Sequence, residues 1–272
     1  MTVEELIIYG KKFISSSQTK MLLANILNYD TLELFLHLDQ IVSEEDIEKY
    51  KKYIDCVLKK YPIQYLTGDV NFYGYDFKIN DKVLIPRFET EQLVFRVISF
   101  IKDNFSDNVK IIDLGCGSGI IGITLAKELS SSIVTCLDIN DDAIKLTKEN
   151  AKLLGVDIEI KKGDMLEEVS DKYDVIVSNP PYIATGEEID EIVKNNEPHL
   201  ALYAGEDGLD CYRKILKKVK NNINKKFLIA FEIGYTQANS ISNLARENLG
   251  NIQIQVFKDL SEKDRVVLIY NK

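Results

Sequence analysis

The residues best suited to chemistry in this sequence form the tetrapeptide Asn179-Pro180-Pro181-Tyr182, which follows a short apolar segment. The side-chain oxygen of Asn179 and the backbone carbonyl of Pro180 can each accept one N–H of a planar NH₂ group. Such acceptors favour positive charge that develops on the held nitrogen. The prolines stiffen the backbone, and Tyr182 offers a ring face for a flat group. The tetrapeptide therefore indicates a site that orients a planar nitrogen, although prolines that simply end a strand are the alternative.

A glycine-rich loop precedes this tetrapeptide in the chain, with the sequence Asp113-Leu114-Gly115-Cys116-Gly117-Ser118-Gly119. Glycine lets the backbone turn tightly and approach a ligand closely. Asp138 ends the next strand-like segment, where a carboxylate can accept both hydroxyls of a ribose. The loop also satisfies G-x-G-x-x-G from Gly117 through Gly119 to Gly122. Nicotinamide and adenosyl cofactors therefore both fit this spacing, and a tight turn without a ligand is a third interpretation.

The carboxylate of Asp113 favours one of these cofactors. A nicotinamide dinucleotide would bring a diphosphate to the loop, which a fixed carboxylate would repel. S-adenosylmethionine instead carries a sulfonium and an ammonium group, whose charge Asp113 can offset directly or through water. Asp164 is placed to accept from an adenine amino group, with Met165 beside the ring, although an N-capping role is the alternative for Asp164. The predicted cofactor site comprises Asp113, Gly115, Cys116, Gly117, Ser118, Gly119, Asp138, Asp164, Met165 and Asn179.

The elements that would position these residues alternate between strand and helix from about residue 109 onward. Such alternation predicts a doubly wound, Rossmann-like α/β fold with a parallel sheet and right-handed crossovers. The strand-like segments are 109–114, 133–137, 158–160, 175–177 and 227–231, followed by a helix near 237–248 and strand-like runs at 252–257 and 266–270. Ligands of such sheets bind beyond the carboxyl ends of the strands. We therefore expect the glycine loop and the tetrapeptide to face one crevice.

The first 60 residues lack strand-like alternation and predict a small helical bundle. Three pairs have the spacing of an N-cap residue and an acid at the third helical position: Thr2 with Glu5, Asp30 with Glu33 and Ser43 with Asp46. Glycines and aromatic residues between Pro62 and Pro86 predict a β-hairpin-type linker. We therefore predict a helical domain over residues 1–75, which includes the start of the linker, and an α/β domain over residues 76–272.

The composition is that of a globular protein, with 45% hydrophobic and 28% charged residues. No apolar run approaches the roughly 18 residues of a membrane helix, and the N-terminus lacks the features of a secretory signal. We therefore expect a cytoplasmic protein without a membrane partner. Four widely spaced cysteines and two histidines argue against a metal site. The net charge of −9 disfavours a stable nucleic-acid partner, because such binding requires cationic surface.

Further segments carry a family resemblance: Tyr61-Pro62-Ile63-Gln64-Tyr65-Leu66-Thr67-Gly68, Phe72-Tyr73-Gly74, Val83-Leu84-Ile85-Pro86-Arg87-Phe88-Glu89-Thr90-Glu91, Glu197-Pro198-His199-Leu200-Ala201-Leu202 and Phe231-Glu232-Ile233-Gly234. Asn-Pro-Pro-Tyr is similar to the signature of methyltransferases that act on exocyclic adenine nitrogens and on glutamine amides. Both groups are planar, so the tetrapeptide alone leaves both open. With the other segments, essentially the whole chain resembles the release factor glutamine methyltransferases of the HemK/PrmC type.

This resemblance implies protein methylation in translation termination. The methyl of S-adenosylmethionine would pass to the side-chain nitrogen of the glutamine in the Gly-Gly-Gln motif of class-1 peptide chain release factors. It implies a catalytic role for Asn179, Pro180 and Tyr182, with Pro181 completing the substrate clamp. The helical domain would dock part of the release factor, and we expect a monomer. The family often has an aromatic residue where this chain has Met165, and commonly a proline where it has Phe88.

Two other functions stay open at this point. An N6-adenine methyltransferase would share the tetrapeptide, but the chain has no basic target-recognition domain and no long insertion after Tyr182. Base flipping would also need a pocket that reads a purine edge. A protein that binds S-adenosylmethionine without turnover would not need Asn179 and Pro180. Arg87 and Glu89 are interpreted as a structural ion pair without a catalytic role.

Overall fold

The computed structural model describes residues 1–271, except for the side chain of Thr31. The chain divides into two compact units. The first unit comprises Met1–Asp69, Ile79–Asp81 and Asp190–Asn196, and the second comprises Val70–Lys78, Lys82–Ile189 and the chain from Glu197 onward. The division into domains at residues 75 and 76 stays a prediction.

The first unit is helical, as the sequence predicted. Its helices are α1 (Val3–Gly10), α2 (Ser16–Leu27), α3 (Thr31–Leu36), α4 (Glu44–Leu58) and α5 (Ile63–Thr67). Thr2, Asp30 and Ser43 cap α1, α3 and α4, which confirms the three predicted helix starts. The structure adds α2, which begins at a capping box formed by Ser15 and Gln18. Buried leucines and Tyr50, whose hydroxyl donates to the carbonyl of Leu6 at 3.2 Å, form the core of this unit.

A two-stranded hairpin follows, formed by β1 (Asp69–Phe72) and β2 (Tyr75–Lys78). Tyr73 and Gly74 join the strands with φ values of +53° and +82°. Positive φ at both central residues belongs to the turn type whose twist suits a two-residue hairpin. This confirms the hairpin that the glycines and aromatic residues predicted.

The second unit contains a seven-stranded sheet. Its strands are β3 (Lys110–Leu114), β4 (Ile133–Asp138), β5 (Glu159–Lys162), β6 (Tyr173–Ser178), β7 (Ile223–Glu232), β8 (Gln253–Lys258) and β9 (Asp264–Tyr270). They lie in the order β5-β4-β3-β6-β7-β9-β8. Neighbours from β5 to β7 are parallel, whereas β9 runs antiparallel to both β7 and β8. The doubly wound α/β class is therefore confirmed, with an antiparallel edge formed by the last two strand-like runs.

Helices connect and cover these strands. In the second unit they are α6 (Thr90–Asn104), α7 (Ile120–Glu128), α8 (Asp141–Leu154), α10 (Asp210–Lys218) and α11 (Ala238–Leu249), whereas α9 (Glu191–Asn196) belongs to the first unit. Ile111 packs into one core cluster and Ile112 into another, and both are fully buried. Burial on both faces explains why the central strands read as continuous apolar runs. Over residues 1–271, none of the helices combines the length and hydropathy of a membrane span.

Candidate active site

A cavity of about 260 Å³ lies at the carboxyl ends of β3, β4, β5 and β6. In the sheet, β4 lies on one side of the β3–β6 pair and β7 lies on the other. The pair therefore forms the switch point at which open α/β sheets bind ligands. The lining comes from six segments of the second unit and from Cys211. The segments lie within residues 82–87, 115–121, 138–143, 163–165, 179–181 and 198–201.

The glycine loop forms one wall of this cavity. Gly115 and Cys116 donate from their backbone N–H groups to the carbonyl of Leu137, at 2.8 and 3.1 Å. Gly119 has a φ of +83°, and a Cβ there would lie 2.8 Å from both Ile123 Cδ1 and Thr147 Cγ2. Glycine is therefore needed at this position for both its conformation and its packing. Of the predicted loop residues, Gly115, Cys116, Gly117 and Ser118 line the cavity.

Asp138 lies in the cavity wall beside the glycine loop. Its Oδ2 accepts from the Gly117 N–H at 2.8 Å, and its Oδ1 accepts from the Asn140 N–H at 2.9 Å. Burial raises the pKa of this carboxyl above its usual value. Each oxygen keeps a second acceptor site, so the carboxylate can still bind ligand hydroxyls. Ile139, which is 46% exposed and also lines the cavity, offers an apolar surface next to it.

Asp113 occupies a different place from the one that a direct contact with a ligand requires. The residue is fully buried and is absent from the lining of the cavity. Its Oδ2 accepts from the Gly122 N–H at 2.9 Å, while Oδ1 has no protein partner within residues 1–271. Burial raises the pKa of the carboxyl to about 7. A contact with the donor through water stays a prediction for this residue.

Asp164 and Met165 both line the cavity. Their place beside an adenine ring stays a prediction. The carboxylate of Asp164 forms an ion pair with Lys214, a residue that sequence reasoning missed. The segment from Asp164 to Glu168 forms a turn rather than a helix, so the N-capping alternative for Asp164 is wrong. Met165 has a φ of +51°, a left-handed conformation that non-glycine residues seldom adopt.

The tetrapeptide leaves β6 and brings Asn179 and Pro181 into the lining of the same cavity. The Asn179 Nδ2 donates to Thr90 Oγ1 at 3.2 Å. Pro180 is buried, and Tyr182 packs partly against the core. Neither of these two residues is part of the cavity lining. Burial raises the pKa of Tyr182 to about 12, so its hydroxyl stays protonated at neutral pH.

Arg87 pairs with a different acid from the one that the sequence suggested. Its Nη2 lies 2.6 Å from Oε1 of Glu197, whose other oxygen accepts from the Ile85 N–H at 3.1 Å. The predicted pair of Arg87 with Glu89 is therefore wrong. Glu197 is 5% exposed, and its two contacts hold together two segments that line the cavity.

Three other polar residues near the tetrapeptide were missed by sequence reasoning. Thr90 and Glu232 lie behind Asn179, with the Thr90 hydroxyl donating to Glu232 Oε2 at 2.6 Å. Gln237 donates to the carbonyl of Tyr182 at 2.9 Å. Thr90 and Glu232 lie within segments that carry the family resemblance, which is the only signal that could have selected them.

Comparison with known proteins agrees with this geometry. The family model described as the methyltransferase small domain matches residues 97–201, and the PrmC N-terminal domain model matches residues 14–68. Among solved structures, a methyltransferase from Pyrococcus furiosus aligns with a TM-score of 0.54 and 18% identity, over 73% of this chain and 89% of that one. A ribosomal protein L11 methylase from Lactobacillus delbrueckii aligns with a TM-score of 0.50 and 24% identity, over 68% and 80%. At these identities the structures show the fold alone.

Curated relatives are considerably more similar. The release factor glutamine methyltransferase of Clostridium acetobutylicum is 40% identical over 92% of this chain and 89% of its own length. The enzyme of the same name from Streptococcus pneumoniae is 37% identical over 98% and 94%. The one from Bacillus cereus is 37% identical over 91% and 90%. Identity at this level over nearly the whole chain shows that the protein belongs to the release factor glutamine methyltransferase family.

Proposed function

We propose that this S-adenosylmethionine-dependent N-methyltransferase modifies the glutamine side-chain amide in the Gly-Gly-Gln motif of class-1 peptide chain release factors. One observation carries the proposal. Asn179, the first residue of the planar-nitrogen tetrapeptide, lines the same cavity as the glycine loop and Asp138. The names of the curated relatives support glutamine as the acceptor over adenine. The net charge of −9 further disfavours nucleic acid as the substrate.

The residues present fit the methyl donor. Backbone at Gly115 and Gly117 leaves room for close approach, Asp138 offers acceptors for ribose hydroxyls, and Ile139 offers an apolar surface for a base. Asp164 and Met165 would complete the adenine surroundings. When bound, S-adenosylmethionine supplies a methyl group made electrophilic by the attached sulfonium.

Catalysis by this chain would depend on orientation. An amide nitrogen is a weak nucleophile, because its lone pair is delocalised into the carbonyl. The tetrapeptide contains no histidine, cysteine or lysine that could act as a strong base. Asn179 Oδ1 and the Pro180 carbonyl would each accept one N–H, which fixes the nitrogen and stabilises positive charge that develops on it. Alignment of the two reacting atoms would then supply much of the acceleration.

The proposal extends to partners and location. Residues 1–75 would dock the release factor, and several apolar side chains exposed in the first unit support a protein-binding surface: Leu32, Leu36 and Ile41. We further propose that the enzyme is a cytoplasmic monomer without a stable nucleic-acid or membrane partner.

One experiment tests the proposal against its main alternative. The full chain is incubated with methyl-labelled S-adenosylmethionine and, in separate reactions, a class-1 release factor, a variant without the Gly-Gly-Gln glutamine, and duplex DNA. Label is expected only on the release factor that retains this glutamine. Label on the DNA would favour the N6-adenine reaction instead.

A substitution separates chemistry from binding. Asn179→Ala should abolish transfer and leave the affinity for S-adenosylmethionine nearly intact, because it removes an acceptor for the substrate nitrogen. Asn251→Ala, at an exposed position outside the cavity, is the matched control. Transfer by the Asn179→Ala variant at the parent rate would refute the mechanism.

A further inference from the structure

A buried chain of hydrogen bonds runs behind the tetrapeptide. Asn179 Nδ2 donates to Thr90 Oγ1 at 3.2 Å, and the Thr90 hydroxyl donates to Glu232 Oε2 at 2.6 Å. Thr90 begins α6 and Glu232 ends β7, and each is 1% exposed. The catalytic role proposed above uses the oxygen of Asn179 and assigns no part to the other two residues.

The number of protons on Glu232, Thr90 and Asn179 determines which group donates in each of these hydrogen bonds. An ionised carboxylate has only acceptors, and a hydroxyl has a single proton. When Glu232 is ionised, the proton of Thr90 must therefore point to Glu232. The Thr90 oxygen can then only accept, so Asn179 must turn its NH₂ toward it. The Oδ1 atom, at the other end of the same amide, is left for the cavity that Asn179 lines.

We propose that Glu232, acting through Thr90, is a positioning residue that holds the Asn179 amide with Oδ1 toward the cavity. This inference rests on the proposed function, since it matters only if Oδ1 accepts an N–H of the substrate. Without these two hydrogen bonds, the Asn179 amide can rotate and present its NH₂ to the substrate NH₂. Two donors would then face each other.

The surroundings of Glu232 make this orientation sensitive to pH. Burial raises the pKa of the Glu232 carboxyl to about 7, and Glu89 acts in the same direction. The Thr90 hydrogen bond and the guanidinium groups of Arg265 and Arg87 oppose this rise. Protonated Glu232 can donate to Thr90, whose own proton is then free to point at Oδ1 of Asn179. The orientation with Asn179 Oδ1 toward the cavity should therefore be lost as the pH falls below about 7.

The test compares four variants of the full chain with S-adenosylmethionine and release factor as substrates. Thr90→Val keeps the shape but removes the hydroxyl, and kcat should fall about 10- to 100-fold. The dissociation constant for S-adenosylmethionine should stay within about twofold. Thr90→Ser restores the hydroxyl and should recover most of kcat. Thr124→Val is the matched control, because Thr124 is also buried and its hydroxyl has no hydrogen-bond partner in the described chain.

The pH profile provides a readout that a purely structural role would not change. Wild-type kcat should fall as the pH drops below about 7. The kcat of Glu232→Gln, whose residue 232 cannot ionise, should not show this fall. Parent kcat in Thr90→Val, or an unchanged step in Glu232→Gln, would overturn the inference. If Thr90→Val does not fold, Thr90→Ser and Glu232→Gln still decide. Labelling of the release factor by the wild-type chain is measured in parallel. No labelling would mean that the proposed function is wrong. Normal labelling with unchanged variants would mean that only this inference is wrong.

Discussion

The side chain of Gln237 donates through Nε2 to the backbone carbonyl of Tyr182 at 2.9 Å. The same nitrogen donates to the carbonyl of Gly208 at 3.2 Å, and Oε1 accepts from the Gly234 N–H at 3.0 Å. One amide thus joins three loops, including the one that carries the tetrapeptide. A Cβ at Gly208 would lie 2.2 Å from the Tyr182 carbonyl oxygen, so these loops pack without spare room.

Replacing Gln237 should therefore disturb the tetrapeptide and leave the glycine loop unchanged. In Gln237→Leu the three loops lose their shared partner. We expect kcat/KM for the release factor to fall about 10-fold, the factor expected from loss of the hydrogen bond to the Tyr182 carbonyl. Gln237→Glu keeps an acceptor for Gly234 but cannot donate to the two carbonyls, so it should lose a similar factor. Steady-state kinetics and calorimetric titration with S-adenosylmethionine measure both effects. A variant that weakens cofactor binding as much as kcat/KM would contradict this role.

Local patterns predicted the fold well. Ile111 and Ile112 are adjacent and both fully buried, which happens when a strand is covered on both faces. The capping pairs at Thr2 and Asp30 are equally local signals, each complete within four residues. The start of α2 was missed because Gln18, rather than an acid, completes its capping box.

The polar contacts of the site were less predictable, because they join positions far apart in the chain. Arg87 and Glu197 are 110 residues apart, and Thr90 and Glu232 are 142 apart. No periodicity or spacing rule links such residues, and in the sequence Glu89 is the nearer partner for Arg87. The sequence identified Asn179 as a chemical group, but the folded chain was needed to reveal which groups hold it.

Asp138 should control the affinity for the methyl donor. Asp138→Asn leaves one acceptor oxygen for two backbone donors, Gly117 and Asn140, and for the ribose hydroxyls. We expect the dissociation constant for S-adenosylmethionine to rise about 10- to 100-fold, the value of a lost charge-assisted hydrogen bond. Calorimetric titration measures this change. Asp141→Asn removes an exposed carboxylate nearby and serves as the control. Equal affinities for the two variants would exclude Asp138 from the cofactor site.

Gly122 should be required for the packing of α7 on β4. A Cβ added there would lie 2.3 Å from the Cys136 sulfur and 3.2 Å from Asp113 Oδ2. Gly122→Ala should therefore lower the free energy of unfolding by about 1–3 kcal/mol, as overpacked cores do. Urea denaturation gives this value.

The sulfur of Cys136 allows a test of that cause. Cys136→Ala removes the closest atom, so the double variant should be more stable than the sum of the two single changes predicts, by about 1 kcal/mol or more. Strict additivity would show that Gly122→Ala acts through something other than this contact.

Asp113 should make stability depend on pH in an unusual direction for a carboxylate. Burial raises the pKa of the folded state to about 7 from an ordinary value of 3.8. Between these values the folded chain holds a proton that the unfolded chain has released, so the free energy of unfolding falls as pH rises. The contribution is greatest below about pH 4 and is lost by the time the pH passes about 7. Glu232, with a pKa raised in the same direction, adds a similar slope.

Asp113→Asn isolates the first contribution, because asparagine does not titrate and Glu232 is unchanged. Urea denaturation of the cofactor-free wild type and variant, at several values from about pH 5 to about pH 8, gives the difference in their free energies of unfolding. The wild type should lose stability relative to the variant as pH rises through this window. Asp141→Asn, at an exposed position, should run parallel to the wild type. If Asp113→Asn also runs parallel, the carboxylate is ionised throughout and must then have a partner for Oδ1, such as a bound water, which would strengthen the predicted contact with the donor through water.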